Sequence, residues 1–299
     1  MKKWFVLSLL FLNIVQAIAV EKMYVCTASN NTYYDILLNM IGSLYRVNFD
    51  EIEELSIYDL GLDPEQKEEL SRIQKVKLYE VERVNPSILT PFATRPNNQK
   101  LVPGWYSWKP VVIKDSLERF PYVLWLDAGL TIMRPLNTVF DHIIEHGYFF
   151  VDSDDWIRLM TKKSILEKFN VMSDSKRWIL NEQGLTTNIM GISKDRLYDN
   201  FIVPVYEMAA DITHFEDDGS CLEGFGRLRP EQSIYSIIAC NLGLRVFKKP
   251  NISLRVNGRL IPIVITTKSH FNVNDPATIL NTRSSIPHLN YFKSYIRYD

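Results

Sequence analysis

Asp127 stands where a chain of this kind most readily places chemistry. Tyr122 to Leu126, just before it, form an uninterrupted apolar run rich in aromatic and branched side chains, the composition of a central strand covered on both faces. The ligand crevice of an open α/β sheet lies beyond the carboxyl ends of such strands, so a carboxylate there can face a substrate or a metal ion. Ala128 and Gly129 follow and leave room for a bulky ligand. The plain alternative is a strand that simply turns, with Asp127 bonded to its own backbone.

Other residues could share that crevice. Lys109 precedes Pro110, which suits the first position of a helix running to about Arg119, so Lys109 is expected beside unpaired amides as an anion site; otherwise it is solvated and Trp105 and Trp108 are core. Pro230, Glu231 and Gln232 open another helix, where Glu231 favours the positive end of the dipole and Gln232 can cap. Ile234, Ile237, Ile238 and Leu242 would face the core, and Gly243 stops the helix. Asp152, Ser153, Asp154 and Asp155 form an acidic group that competes as a metal site, although a solvated turn capping a helix over Trp156 to Phe169 is the favoured reading. His270 follows a late strand and is a candidate metal ligand, or a histidine satisfied in the core or at the surface.

Stepping along the chain, strands and helices alternate. Met23 to Ala28 reads as a strand, followed by Ile36, Leu37, Met40, Ile41 and Leu44 at helical spacing. Leu55 to Leu60 is the second strand; Asp63, Pro64 and Gln66 then make a capped helix start. Val76 to Val81 is the third strand, and Arg83 to Gly104 reads as a long surface loop. Beyond the central strand come a short helix at Phe140 to Ile144, a strand at Gly147 to Val151, a strand at Gly184 to Ser193 with small residues, a helix at Phe201 to Ala210, and an acidic loop at Glu216 to Gly226. Asn257 and Gly258 mark a two-residue hairpin. No repeat or low-complexity segment is apparent.

At 299 residues with 46% apolar content, the chain can bury a large core without disulfides. Residues 1–19 have the form of a signal peptide: Lys2 and Lys3, an apolar stretch, then Ala17, Ile18 and Ala19. The expected product is one domain, 20–299, secreted or in a secretory lumen; an uncleaved membrane anchor is the alternative, and the only route to membrane contact. The formal net charge is −1, and nothing points to nucleic acid. Cys26 is expected as an inert core thiol, while Cys221 and Cys240 could pair in an oxidising compartment. Sequons occur at Asn30 and Asn251.

The order of these features resembles nucleotide-sugar glycosyltransferases of the GT-A fold, closest to the broad family 8 type and its poorly characterised relatives, over roughly Met23 to Phe271. The resemblance implies an α/β fold with a mixed, mainly parallel central sheet flanked by helices and a small C-terminal hairpin region. It implies a family Asp, any residue, Asp metal motif; Asp127 matches the first carboxylate and Gly129 replaces the second. Lys109 matches a family Lys near the nucleotide sugar, Asn188 matches the Asn of a motif after the acceptor-side segment, Gly191 is displaced from the Gly expected after that Asn, and Trp108, Ala128 and Gly129 adjoin them as substrate-binding residues. Glu231, Gln232 and Ser233 match a motif near the reactive carbon, and Asp127 with His270 would hold Mn²⁺ or Mg²⁺. The Gly and Lys expected soon after that His are absent. The implied reaction moves a sugar, with a UDP-sugar the expected donor, to a glycan, protein or lipid acceptor. Gly129 supports a second reading, a non-catalytic binder of nucleotide or glycan. A secreted hydrolase is disfavoured, since neither a GxSxG elbow nor an HExxH pair occurs.

Overall fold

The computed structural model describes residues 22–95, 98–221, 229–267, 274–281 and 289–299. The leader, His270 and Gly226 lie outside them. The described chain opens with β1 (Met23–Ser29), α1 (Tyr34–Asn48), β2 (Ile52–Asp59), α2 (Pro64–Ser71) and β3 (Val76–Glu80). Helix α2 starts at the expected capping box, with the Asp63 N–H donating to Gln66 Oε1 at 3.0 Å. A hairpin, β4 (Pro91–Arg95) and β5 (Asn98–Pro103), precedes α3 (Trp108–Arg119), β6 (Tyr122–Leu126) and β7 (Leu130–Ile132). Next come α4 (Asn137–His146), β8 (Tyr148–Trp156), α5 (Ile157–Met160), α6 (Lys163–Lys168) and β9 (Gln183–Ser193). Short α7 (Lys194–Leu197) and α8 (Val203–Met208), separated by a π-turn, lead to α9 (Pro230–Asn241), the β10 (Asn251–Val256) and β11 (Arg259–Thr267) hairpin, β12 (Ile279–Asn281) and α10 (Leu289–Lys293).

The main sheet has six strands in the order β3-β2-β1-β6-β9-β8. Neighbours β3, β2, β1 and β6 pair in parallel, and β9 is antiparallel to both β6 and β8. Strand β9 alone therefore runs against the rest, and the sheet is mixed and mainly parallel as the sequence implied. Alternation along β6 explains its apolar run. Leu124 and Leu126 join a core with α1 residues Leu37, Met40, Ile41 and Leu44 on one face. On the other, Val123 and Trp125 join Val112 and Ile113 of α3 and Ile234 and Ile237 of α9. A second sheet, β10-β11-β12-β7, holds the C-terminal hairpin. Its turn has positive φ at both Asn257 and Gly258, as two-residue hairpins require.

The register also sets the shape of the sheet edge. Leu126, the last residue of β6, pairs with Ile189, so the first half of β9 continues past the carboxyl end of β6. Strand β8 accompanies it, with Asp152 opposite Leu185 and Trp156 opposite Gln183. A two-stranded projection thus rises beside Asp127.

Several local expectations are corrected. The loop at 83–104 contains the β4–β5 hairpin, whose local pairing leaves no hydrophobic period for the sequence to display. The acidic group belongs to β8 rather than to a turn capping a helix. Asp152 Oδ1 accepts from the Lys249 N–H at 2.9 Å, Asp154 pairs with Lys249 and Asp155 with Arg229. These partners occupy the carboxylates separately, and no group of metal-ligating side chains forms there. The helix expected over Trp156 to Phe169 is broken at Thr161, whose backbone is extended; its hydroxyl donates to the Ile157 carbonyl and Lys162 Nζ donates to the Glu216 carbonyl. Leu242 caps α9 and is 38% exposed instead of facing the core. Cys221 and Cys240 are free thiols. Cys26 is buried as expected, its thiol pushed up to about 12 by burial. No helix among the described residues is long and apolar enough to cross a membrane.

Two packing features generate predictions. A Cβ on Gly42 of α1 would lie 2.0 Å from the Phe292 carbonyl oxygen of α10. Gly42→Ala is expected to lower stability by about 1–3 kcal/mol through overpacking, read as a reduced urea midpoint at unchanged m-value. His142 of α4 lies edge-on to Phe247 and Phe149. Burial, with the charge of neighbouring His146 second, lowers its imidazole from 6.5 to about 4. The unfolded chain takes up this proton first, so stability is full above about 6.5 and declines as pH falls towards 4. Thermal melts across that range should show the decline, and His142→Phe should flatten it.

Candidate functional site

Three elements aim charged side chains at one point on the α3 and α9 face of the sheet. Asp127 follows β6 and shares that face with Trp125, two residues earlier. Its N–H donates to the Asn188 carbonyl at 2.8 Å, and its carbonyl accepts from the Leu130 N–H at 3.1 Å. The backbone therefore turns here, as the plain reading expected. The side chain does more than serve the turn. Trp125 Nε1 donates to Asp127 Oδ1 at 3.1 Å and to the Thr187 carbonyl of β9 at 2.9 Å.

Lys109 reaches the same oxygen from the first turn of α3. That helix begins at Trp108 rather than Pro110, which turns Lys109 inward. Its side chain is only 2% exposed. The ammonium donates to Asp127 Oδ1 and to the Thr187 carbonyl, each at 3.1 Å, and lies 3.4 Å from Glu231 Oε1. Thr187 Oγ1 donates to that Glu231 oxygen at 2.8 Å. The rings of Trp125, Trp108 and Tyr106 have centroids 5.2, 5.8 and 5.9 Å from Nζ. Aromatic faces and two carboxylates together replace the water this cation loses. The open anion site expected of Lys109 is thus corrected to a buried bridge between carboxylates.

Glu231 is buried in the first turn of α9, where the helix dipole also favours its charge. Gln232 is its neighbour but turns away, its Nε2 lying 3.5 Å from Met160 Sδ. Trp108, Lys109, Trp125, Asp127, Ala128 and Gly129 line one cleft. Its far wall comes from Ser29 at the end of β1, Asn30 after it, Tyr33, and the β5 residues Leu101 to Pro103. The cleft lies at the carboxyl ends of β1 and β6, where α/β sheets open for ligands. Asn188 contributes its carbonyl to the Asp127 turn. His270 is outside the described residues.

Sequence reasoning missed Trp125 and Thr187, the two residues that hold Asp127, Lys109 and Glu231 in register. Trp125 was legible in principle, since period-two alternation puts it on the side of Asp127. Thr187 was not, because its role comes from β9 pairing across the sheet. Asn30 was read only as a sequon, and its place in the cleft wall depends on β1 lying next to β6.

The charge of this cluster bears on a metal ion. Formally, one ammonium against two carboxylates leaves one negative charge, which favours a cation nearby. The ligand set is less complete. Gly129 offers no side chain, Asp127 Oδ1 already accepts two hydrogen bonds, and no group of three ligating side chains occurs among the described residues. The described residues therefore do not by themselves form a divalent-cation site.

Among solved structures, an active-site mutant of LgtC matches over 91% of this chain and 95% of its own, at 11% identity and TM-score 0.51. Mouse xyloside xylosyltransferase 1 in its apo form matches over 89% and 99%, at 10% identity and TM-score 0.51. This chain has the GT-A fold. The bifunctional glycosyltransferase WbbM shares it at TM-score 0.50 and 9% identity, covering 92% of this chain and 49% of its own. No protein-family model and no curated protein matches the sequence. With identities this low, the likeness extends to the GT-A architecture of the chain.

The buried bridge makes a stability prediction. Lys109→Met should cost about 3–5 kcal/mol, because it leaves buried carboxylates without their cation. Combining it with Glu231→Gln should recover part of that loss in equilibrium denaturation. Equal and additive losses would mean that the three groups do not act as one network.

Proposed function

We propose that the protein is a glycosyltransferase that takes a sugar from a nucleoside diphosphate donor, with a UDP-sugar favoured, and passes it to a glycan acceptor. The observation that carries this reading is the buried Lys109, Asp127 and Glu231 bridge, of which Lys109 and Asp127 line a cleft at the carboxyl ends of β1 and β6. The GT-A fold supports it, as do neighbours whose names are those of glycosyltransferases, LgtC having been crystallised with donor and acceptor sugar analogues. Secretion, or entry into a secretory lumen, directed by the leader 1–19 completes the proposal.

In this reading the donor lies against Asn30, Tyr33 and the β5 wall, with its diphosphate towards Asp127. Breaking the bond from anomeric carbon to phosphate oxygen builds negative charge on the diphosphate, and preorganised groups lower that barrier without moving. Lys109, its charge already shared between two carboxylates, holds Asp127 and Glu231 at set positions. Glu231 is buried outside the cleft lining and acts through Lys109 and Thr187, which it holds in place. A divalent ion would add charge stabilisation at the diphosphate, and Asp127 with His270 is the ligand pair that the sequence offers for it. Gly129, and the hydrogen bonds already made by Asp127, favour one alternative: a binder of nucleotide sugars that does not turn them over.

The test is donor binding and hydrolysis by residues 20–299 against a panel of nucleotide sugars, with Mn²⁺, with Mg²⁺ and with chelator. One donor should be hydrolysed, and Asp127→Asn should slow it about a hundredfold, roughly 2.7 kcal/mol of transition-state stabilisation. Loss of rate in chelator would establish the metal. Binding without turnover in every condition would select the non-catalytic alternative.

A further inference from the structure

The tip of the β8–β9 projection carries a second concavity, separate from the cleft. Trp156 ends β8 opposite Gln183, the first residue of β9. Trp178 sits in the short turn Arg177–Asn181 that leads into the same strand. Both line a groove with Glu182, Gln183 and Lys248. Trp156 is 39% exposed and Trp178 49%, whereas Trp108 and Trp125 are buried in the core. A single exposed indole needs no explanation, but two beside one groove form a surface with a purpose to be found.

The groove is built rather than loose. The Arg158 guanidinium lies 5.4 Å from the Trp156 ring centroid and donates to Asn181 Oδ1 at 3.0 Å. It braces the indole of one wall against the turn that carries the other. By contrast, the side chains of Glu182, Gln183 and Lys248 make no hydrogen bond or ion pair with the described residues, so an acceptor, an amide and a donor remain available beside the indoles. Indole faces suit the C–H face of a pyranose ring, and hydroxyls both donate and accept, matching this mixed polar set. A purely apolar partner would leave those polar groups unpaired.

The location adds a second argument. Gln183 and Asn188 lie on the same strand, about 17 Å apart at the usual rise per residue. A ligand reaching from the groove to the cleft is therefore an oligosaccharide and not a single sugar. We propose that the Trp156 and Trp178 groove is a distal glycan subsite, gripping the non-reacting part of an oligosaccharide acceptor whose reacting end lies at the cleft. The acceptor role rests on the transferase reading; glycan binding at the groove does not. Binding energy gained there positions a substrate whose chemistry happens elsewhere.

The test uses residues 20–299 without nucleotide, titrated by tryptophan fluorescence and calorimetry. The probes are manno-, gluco-, galacto- and xylo-oligosaccharides from disaccharide to hexasaccharide. At least one series should bind, more tightly with length, and Trp178→Ala and Trp156→Ala should each weaken it about tenfold or more, about 1.4 kcal/mol. Trp178→Phe should retain most of the affinity, and UDP binding at the cleft should be unchanged in all three variants. Failure of every series to bind the wild type overturns the proposal, as does binding that both alanine variants retain in full. Self-association lost in Trp178→Ala, without glycan binding, also overturns it in favour of a contact between copies. Glycan binding without donor turnover leaves the subsite standing and sinks only the transferase reading.

Discussion

An ammonium removed from water and shared between two carboxylates is the constraint on which the site depends. Lys109 comes from α3, Asp127 from the end of β6, Glu231 from the start of α9, and Thr187 of β9 ties two of them together. No pair of these elements is adjacent in sequence except α3 and β6. The charges can be buried only if all four elements dock in their native register, because an unmatched buried charge costs several kcal/mol. The geometry of the cleft floor and the packing of that face of the sheet are therefore one structural fact. It also explains the dryness of the surroundings: the aromatic rings around Nζ exclude water that would otherwise weaken the bridge.

The fold was largely legible because it rests on short-range patterns. The uninterrupted run of β6, the helical spacing in α1, the capping box of α2 and the Asn257–Gly258 turn each encode a local conformation, and their order encodes the βαβ alternation. Weak periodicity hid the β4–β5 hairpin, and the break at Thr161 was invisible because the next residue, Lys162, is tied to the distant Glu216 carbonyl. The site was legible in its members and less so in its wiring. Asp127, Lys109 and Glu231 were each recognisable from their position at the end of a strand or the start of a helix. That Lys109 would pair with both carboxylates, and not stand open to an anion, follows from a helix starting two residues earlier than Pro110 suggested. The proposed pairing of Cys221 with Cys240 failed for a similar reason, since a sequence gives cysteine number but not separation in space.

The antiparallel course of β9 gives the sheet its asymmetry. Were β9 parallel to β6, both strands would end level and the cleft would lie on an open rim. Instead the early half of β9, supported by β8, stands beyond Asp127, while β5 and the turn after β1 line the cleft. One strand thus contributes Thr187 to the bridge and Gln183 to the separate groove. Substitutions near the start of β9 alter the reach of the surface without touching the bridge.

Asn30 gives the cleft a relation to the cell that the bridge does not. Its side chain accepts from the Tyr33 N–H at 3.2 Å while it forms part of the cleft wall, and it begins an Asn-Asn-Thr sequon. In a compartment that attaches glycans to such sequons, oligosaccharide addition at Asn30 during translocation would precede folding and fill the space later needed for a ligand. Chains would then divide at synthesis into an unmodified fraction with an open cleft and a modified fraction whose own glycan occludes it, with the modifying enzyme's efficiency setting the ratio.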